Sequence, residues 1–378
     1  MPSLVAAASA VKVLVAMGTR PEGIKLAPLV AELRRRPTIA LRLVTTGQHR
    51  ELLAQVLATF AIVPDDDLDV MRPEQSLAEL SGRVLAGMDR LLAVDPPDVV
   101  IVQGDTTSAF MCGLAAGYRG TPVAHVEAGL RTGSLADPFP EEMNRVLISR
   151  LASLHFAPTA RARSALIAEG VSEETIFVTG NTVVDALLHI RQSDGYARAV
   201  SPIRVDPNQR LLLVTLHRRE SWGAPLGGMC RAIRAIVEMR PDVRVAFPVH
   251  ANPVVRRIVH EVLGGHERID LIEPVDYLPF IAMMDASWLV LTDSGGVQEE
   301  APILGRPVLV LRDTTERPEA VECGVARAVG VDPDAIVRHT IALLDNPAER
   351  AVMARAVSPF GDGRAAVRIS DILEARIA

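Results

Sequence analysis

The sequence predicts an α/β protein of two doubly wound, parallel-sheet domains facing across a cleft, and three observations carry that expectation. Short runs of Val, Leu and Ile, the composition of strands buried on both faces, alternate with helix-length segments along the chain. Polar and glycine-containing clusters gather where the apolar runs end, which is the ligand edge of a parallel sheet. The alternation lapses over the polar stretch Gln192 to Gln209 and then restarts. At 378 residues the chain is too long for one ordinary core and suited to two. The expected boundaries are 1–180 for the first domain, 181–208 for the connection and 209–359 for the second domain. A C-terminal helix at about 360–378 is expected to pack back on the first.

Composition narrows the class. Apolar residues make up 49% and aromatics only 3%, so the core must be aliphatic, as suits helices packed on parallel strands. The net charge of −6 argues against a nucleic-acid-binding surface. Cys112, Cys230 and Cys323 lie far apart with no CxxC spacing, and read as buried free thiols of a reducing compartment, with no metal site. No apolar run reaches the roughly 18 residues of a membrane span. Met1 to Ala10 is small and apolar but lacks a preceding basic region, so it reads as a disordered lead-in. The expectation is a soluble cytoplasmic protein.

Val11 to Met17 reads as the first strand and stops at Gly18-Thr19-Arg20-Pro21-Glu22. A helix follows to about Arg35, with Pro21 suited to a first turn where a missing N–H costs nothing. Arg20 and Lys25 thereby fall at the ligand edge. This turn is not the GxGxxG fingerprint of a dinucleotide site, so no nicotinamide cofactor is expected. Leu41 to Thr46 is the second strand, followed by Gly47-Gln48-His49 and a helix from about Glu51 to Phe60. Pro64 to Pro73, rich in Pro and Asp, reads as a long loop. A helix from Ser76 to Ala93 leads to strand Asp98 to Val102, which ends in Gln103-Gly104-Asp105-Thr106-Thr107. Asp105 is either the N-cap of a helix from Ser108 onward or a carboxylate offered to a ligand. Pro122 to Val126 is the next strand and ends in Glu127-Ala128-Gly129-Leu130-Arg131. The linker Thr132 to Pro140 precedes a helix from Glu141 to Leu151, where Glu141 also suits the helix dipole. Strand His155 to Ala157, a helix near Ala160 to Glu169, strand Ile176 to Thr179, Gly180-Asn181-Thr182 and a helix to about Arg191 complete the half.

Strand Leu211 to Leu216 restarts the pattern and ends in His217-Arg218-Arg219-Glu220-Ser221, before a helix around Leu226 to Met239. His217 is either a satisfied strand-end histidine or a proton carrier. Val243 to Pro248 ends in Val249-His250-Ala251-Asn252-Pro253, and a helix runs to Leu263. Ile269 to Ile272 is followed by Tyr277-Leu278-Pro279-Phe280 and a helix to Asp285, in which Met283 and Met284 suit core packing. The apolar run Trp288 to Leu291 stops at Thr292-Asp293-Ser294-Gly295-Gly296, and a helix-like segment spans Val297 to Leu304. Adjacent glycines let backbone N–H groups approach a ligand, and a helix N-terminus adds partial positive charge. The junction therefore suits an anion, most often phosphate. Strand Pro307 to Leu311 delivers Arg312 and the polar loop Asp313 to Glu319. A strand near Val325 to Val329, helices at Pro333 to Leu344 and Ala348 to Ala356, and a last helix over Ala365 to Ile377 close the chain. Gly361-Asp362-Gly363 loosely fits GxGxxA, but no strand precedes it and it reads as a turn.

Twelve motifs lie along the chain: GTRPEGIKLAP, TGQHRE, GDTTSA, HVEAGLRTG, PFPEEMNR, GNTVVDAL, HRRES, PVHANP, YLPF, TDSGGVQEEAP, RDTTERPEA and GDGRA. With these in this order the chain closely resembles the non-hydrolysing bacterial UDP-N-acetylglucosamine 2-epimerases, relatives of the glycosyltransferase-B enzymes with their two Rossmann-like domains. The resemblance runs nearly end to end. It implies reversible C2 epimerisation of UDP-N-acetylglucosamine to UDP-N-acetylmannosamine, by elimination of UDP to a 2-acetamidoglucal and re-addition. It further implies a supply of surface-polysaccharide precursors, a homodimer, and no cofactor, nucleic acid or membrane partner.

No neighbouring carbonyl acidifies C2–H of an acetamido sugar. One route to inversion oxidises the C3 hydroxyl with a nicotinamide; the other expels the nucleotide diphosphate from C1 while a base removes the C2 proton. The second needs an anion seat for departing UDP and proton carriers on both sugar faces. Ser294, Gly295, Gly296 and Arg317 suit the seat; Asp105, Glu127, Glu141 and His217 suit the ring. The resemblance makes Asp105, Glu127 and Glu141 the catalytic carboxylates, with Glu127 and Asp105 sharing proton transfer at C2 and Glu141 orienting the substrate. It makes His217 the histidine of the HRRES stretch and puts Arg20, Lys25 and Arg145 near the sugar and phosphates. It assigns Ser294, Gly295, Gly296, Glu300 and Arg317 to UDP, with Glu300 accepting ribose hydroxyls and Phe280 where uracil is held. His250 matches the PVH histidine, with its role open. Gln48 and Glu51 fall at the loop through which a second substrate molecule regulates the family, whereas the residues after Met71 give no match. Leu216 stands where many relatives carry glycine. Other readings are a hydrolysing epimerase that releases UDP and N-acetylmannosamine, a retaining glycosyltransferase, and a non-catalytic sugar-nucleotide sensor.

Overall fold

The computed structural model of the chain describes residues 10–48, 50–199, 201–218 and 221–377. Most of the expected lead-in, His49, and Arg219 and Glu220 of the HRRES stretch lie outside the described residues. Among those described, every strand pairing is parallel. Strands β1 (Val11–Met17), β2 (Ile39–Thr45), β3 (Asp66–Asp67), β4 (Val99–Gln103), β5 (Val123–Val126), β6 (Leu154–Ala157) and β7 (Ile176–Val178) form one sheet in the order β3-β2-β1-β4-β5-β6-β7. Strands β8 (Arg210–Thr215), β9 (Val243–Pro248), β10 (Ile269–Ile272), β11 (Leu289–Thr292), β12 (Val308–Val310) and β13 (Ala326–Ala328) form a second, ordered β10-β9-β8-β11-β12-β13. The chain divides into two compact units, one of residues up to His189 together with Phe360 onward, the other of Ile190–Pro359.

In each sheet the strand order reverses once, between β1 and β4 and between β8 and β11. Connections leave such a pair toward opposite faces of the sheet, so the loops at the carboxyl ends part and open a crevice. Topology thus decides which loops meet a ligand before any side chain is considered.

Packing explains why the strands read as continuous apolar runs. Along β4, Val99 and Ile101 join one core with Leu26, Leu29 and Leu33, while Val100 and Val102 join another with Val84, Met88 and Cys112. The helix Ala365–Ile377 brings Ala366, Ile369 and Leu373 into the first of these cores, so the far end of the chain completes the first unit. Full burial of an Ile or Leu side chain contributes about 1.5–3 kcal/mol, enough to hold this helix in place.

Several local expectations change. Asp66 and Asp67 pair with β2 inside the stretch expected to be a loop. Consecutive aspartates carry no strand signal, but a sheet edge tolerates them, and Arg42 holds the Asp66 carboxylate at 2.7 and 3.0 Å. The polar region after Gln192 contains a short helix, Asp194–Arg198, capped by Ser193. Another, Pro318–Glu322, lies at the end of the expected 313–319 loop. Cys323 ends that helix and is exposed, which corrects the reading of three buried thiols; Cys112 and Cys230 are buried, and burial pushes the Cys230 thiol up to about 12. Met283 and Met284 are fully buried, as expected. Among the described residues no helix is long and apolar enough to cross a membrane.

Candidate functional site

The first unit's loops converge at the β1/β4 reversal. After β1, Thr19 caps the helix Arg20–Arg34 and Glu22 reaches back to the N–H groups of Gly18 and Thr19 at 2.8 and 2.7 Å. The other oxygen of Glu22 accepts from the Thr106 hydroxyl at 2.6 Å, which stitches the β1 loop to the β4 loop. Burial lifts the Glu22 carboxyl above its ordinary range, against the pull of these donors. Thr106, not Asp105, caps the helix Thr107–Tyr118, its hydroxyl accepting from Ala109 N–H at 3.0 Å. The capping alternative for Asp105 therefore falls away. Arg145 instead holds its carboxylate at 2.5 Å, and Asn144 donates to its carbonyl at 2.9 Å.

Asn144 and Arg145 belong to the first turns of the helix Glu141–Leu151, three and four positions after Glu141, and so share a face with it. The neighbouring Glu142 is buried, pairs with Arg145 at 3.1 Å and accepts from Thr132 and Gly133 N–H at 2.9 and 3.1 Å. It fixes the preceding linker. Glu141 is half-buried at the helix N-terminus.

Glu127 follows β5 with φ +65, a left-handed backbone that costs a residue with a Cβ about 1–2 kcal/mol. It is buried and accepts from Lys25 Nζ and from Asn181 Nδ2, the latter at 2.8 Å. Asp105 and Glu127 thus differ: the Asp105 side chain keeps 26% of its surface exposed and Glu127 only 5%. Arg20 is half-buried at the start of its helix.

His125, also on β5, is wholly buried. Burial drives its imidazole down to about 3, so the ring is neutral and Nε2–H donates to the Gly104 carbonyl at 2.7 Å. An unfolded histidine takes up its proton near pH 6.5 and this one only near 3. Between those values the unfolded state binds more protons, so stability falls as pH drops. This group alone should cost about 2–3 kcal/mol between pH 6.5 and 4.5. Denaturant titrations at stepped pH should show that slope, and His125→Gln should flatten it.

In the second unit the reversal lies between β8 and β11, whose ends are in register at Thr215 and Thr292. Asp293, fully buried just beyond β11, accepts from the N–H groups of His217 and Arg218, both at 2.9 Å. Its other oxygen lies 3.0 Å from His217 Nδ1. Burial pushes the Asp293 carboxyl up, but His217 and these N–H groups outweigh it, and the group sits below the usual range. A carboxylate at Nδ1 favours the tautomer with its proton there and leaves Nε2 as the acceptor. The His250 ring stacks 6.1 Å from His217, and burial followed by His217 lowers its proton affinity.

The helix after β11 is Gly295–Ile303, two residues earlier than expected, so both glycines form its first turn. Ser294 makes no side-chain capping bond there. A Cβ on Gly295 would overlap the Arg317 guanidinium, whereas one on Gly296 would meet open space. Arg317 donates to Glu299 at 2.6 Å and to Glu316 at 2.5 Å. Glu316 also faces Arg312 at 2.8 Å and Arg218 at 3.2 Å. Burial alone would raise the Glu316 carboxyl, but Arg317, then Arg218 and Arg312, hold it far below the usual range. Arg218, Arg312 and Arg317 thus gather on Glu316 beside a helix N-terminus, an arrangement that suits an anion. Buried Glu300 accepts from Tyr277 Oη at 2.6 Å, and Phe280 lies half-buried three residues further along the Tyr277–Ala286 helix.

Residues 31–374 match the sequence model of the family described as UDP-N-acetylglucosamine 2-epimerase. The chain belongs to the UDP-N-acetylglucosamine 2-epimerase family. It is 49% identical over 369 residues to the UDP-N-acetylglucosamine 2-epimerase of Escherichia coli K12, covering 96% of this chain and 98% of that one. It is similar to the crystal structure of UDP-GlcNAc 2-epimerase from Neisseria meningitidis bound to UDP-GlcNAc, with a TM-score of 0.92 and 42% identity over 97% of this chain and 100% of that one. A glycotransferase of kitacinnamycin, 14% identical with a TM-score of 0.66 over 98% of this chain and 100% of that one, shares the fold alone. The fold is thus the glycosyltransferase-B-like pair of α/β units expected for an epimerase of this family.

Within that family frame, the first unit brings together Lys25, Asp105, Glu127 and Arg145 with the helix face of Glu141. The second brings together His217, His250, Gly295 and Arg317. Gln48 accepts from the Ser108 hydroxyl at 2.7 Å, while Glu51 is exposed in the first turn of the helix Arg50–Thr59. Leu216, just before His217, is buried. Sequence reasoning missed Glu22, Glu142, Asn181 and Asp293 as partners. Asp293 stood inside TDSGG and Asn181 inside GNT, but only folding shows what each side chain meets.

Proposed function

We propose that the chain interconverts UDP-N-acetylglucosamine and UDP-N-acetylmannosamine by eliminating UDP across C1–C2 and adding it back, without hydrolysis. One observation carries the reading. Two carboxylates in different surroundings, each held by a cation, stand at the first sheet's reversal, while a cationic helix N-terminus stands at the second's. An elimination needs both: a base at C2 and a receiver for charge at the leaving group.

Glu127 takes the C2 proton. The C2–H electron pair becomes the C1=C2 bond, and the C1–O bond breaks onto the β-phosphate oxygen. Charge growing there meets the first-turn N–H groups of Gly295 and Gly296 and the Arg317 guanidinium, donors of a kind each worth about 10²–10³ in rate. Asp105, which enters this direction of the cycle as the carboxylic acid, gives its proton to the opposite face of C2, the β-phosphate oxygen adds again at C1, and exchange with solvent returns both carboxyl groups to their starting protonation. The reverse direction exchanges the two carboxylates' roles. Glu141 orients the sugar, with Arg20 and Arg145 beside sugar and phosphates. His217 serves the sugar ring as a further proton carrier, His250 binds substrate beside it, Ser294 lines the diphosphate seat, Glu300 takes the ribose hydroxyls and Phe280 the uracil. The product suits surface-polysaccharide synthesis.

Phosphorus and proton NMR of protein with UDP-N-acetylglucosamine test this. A second UDP-sugar rising to a constant ratio supports it; free UDP and N-acetylmannosamine rising in step would establish hydrolysis instead. Asp293→Asn should lower kcat by about 10² or more, because the His217 tautomer loses its anchor. Activity within threefold of wild type would remove His217 from the chemistry.

A further inference from the structure

We propose that Asn181 is a positioning residue for Glu127, fixing which oxygen of that carboxylate meets the sugar. The inference rests on the reading of Glu127 as the proton carrier at C2. Asn181 is buried between β7 and the helix Thr182–Arg191. Its Oδ1 accepts from Val183 N–H at 3.1 Å, which assigns the two ends of the amide and makes Nδ2 the atom facing Glu127. Nδ2 lies 2.8 Å from Oε2, the same oxygen that Lys25 Nζ meets. Both donors therefore converge on one carboxylate oxygen. Oε1 is turned toward Gly104, where an added Cβ would lie 3.9 Å from it, and Gly104 immediately precedes Asp105.

Convergence on Oε2 does two things. Donors to a carboxylate favour its ionised form, the one that accepts a proton. They also set the side-chain direction, which the left-handed backbone of Glu127 removes from the ordinary alternation of a strand. The mount is rigid. Asn181 N–H donates to the Phe360 carbonyl at 2.7 Å, and Gly180 and Gly361, at φ +88 and +117, let the two backbones come together. A Cβ on Gly180 would stand 3.3 Å from the Gly361 Cα. Supporting groups locked in this way are what hold a reacting atom in place.

Asn181→Asp tests the idea, because it keeps the shape, the acceptor for Val183 and the backbone anchor while replacing the donor with a like charge. Asn181→Ala removes the donor without adding charge. Expected for Asn181→Asp is a fall in kcat of about 10² or more with KM within about threefold, and for Asn181→Ala a fall of about tenfold. In both, the acid limb of the kcat–pH profile should move to higher pH, since a carboxylate that loses a donor protonates more readily. UDP affinity by calorimetry should stay at wild type, showing that the second unit is intact. A kcat within threefold of wild type in both variants overturns the proposal. So does a loss of kcat with an unmoved acid limb, which would mark a merely structural residue. Glu127→Gln run beside them separates the two readings. If it retains C2 exchange, the assignment of Glu127 fails; if it abolishes exchange while both Asn181 variants behave as wild type, only the positioning role fails.

Discussion

Glu127→Gln is expected to lower kcat by about 10³ while UDP binds as before. Glutamine keeps the size and can still accept from Lys25 and Asn181, so the local packing survives. What goes is the basic lone pair of a carboxylate, and a positioned general base contributes about 10²–10⁴ in rate. The left-handed backbone at Glu127 marks a site where strain is retained around this one side chain. Calorimetry with UDP reads the second unit separately, since the seat proposed for UDP at Gly295, Gly296 and Arg317 lies in that unit. A Glu127→Gln enzyme within tenfold of wild type would remove this carboxylate from proton transfer.

Arg317→Met is expected to cost both stability and nucleotide binding. Arg317 faces Glu299, which is wholly buried, and shares Glu316 with Arg218 and Arg312. Taking one member from a buried ion pair typically costs about 3–5 kcal/mol, because the remaining charge was desolvated to meet it. The same change strips the anion seat of the guanidinium packed on Gly295, and Kd for UDP should rise by about 10² or more. Arg317→Lys should recover little, since one ammonium cannot present the planar fork that reaches two carboxylates. Thermal unfolding and calorimetry check the two effects; an unchanged midpoint with unchanged Kd would contradict the account of this network.

Strands were legible in the sequence because a parallel sheet covered on both faces leaves no polar alternation. Val99 to Val102 reads as four consecutive apolar residues since each faces one core or the other. The strand ends were legible because glycine and charge stop such runs, so the positions of Asp105, Glu127, His217 and Ser294 followed from topology alone. Cooperative choices were not legible. Asp105 and Thr106 are both good capping residues, and Thr106 caps while Arg145 and Asn144, some forty positions away, draw Asp105 outward. The two-residue strand at Asp66 exists through a neighbour's backbone, which its own side chains do not announce. Asn181 meets Glu127 across 54 positions, and Asp293 meets the His217 backbone across 76. Local pattern holds no record of such pairings, because the side chains are brought together by the order of strands and not by their spacing.

The central claim is that the C2–H bond breaks while UDP leaves. Incubation of the protein with UDP-N-acetylglucosamine in D₂O, read by proton NMR and mass spectrometry, tests it most directly. Deuterium at C2 of both UDP-N-acetylglucosamine and UDP-N-acetylmannosamine is the expected result, at one deuteron per sugar. UDP-N-acetylmannosamine formed with protium kept at C2 would contradict the elimination and the roles given to Glu127 and Asp105.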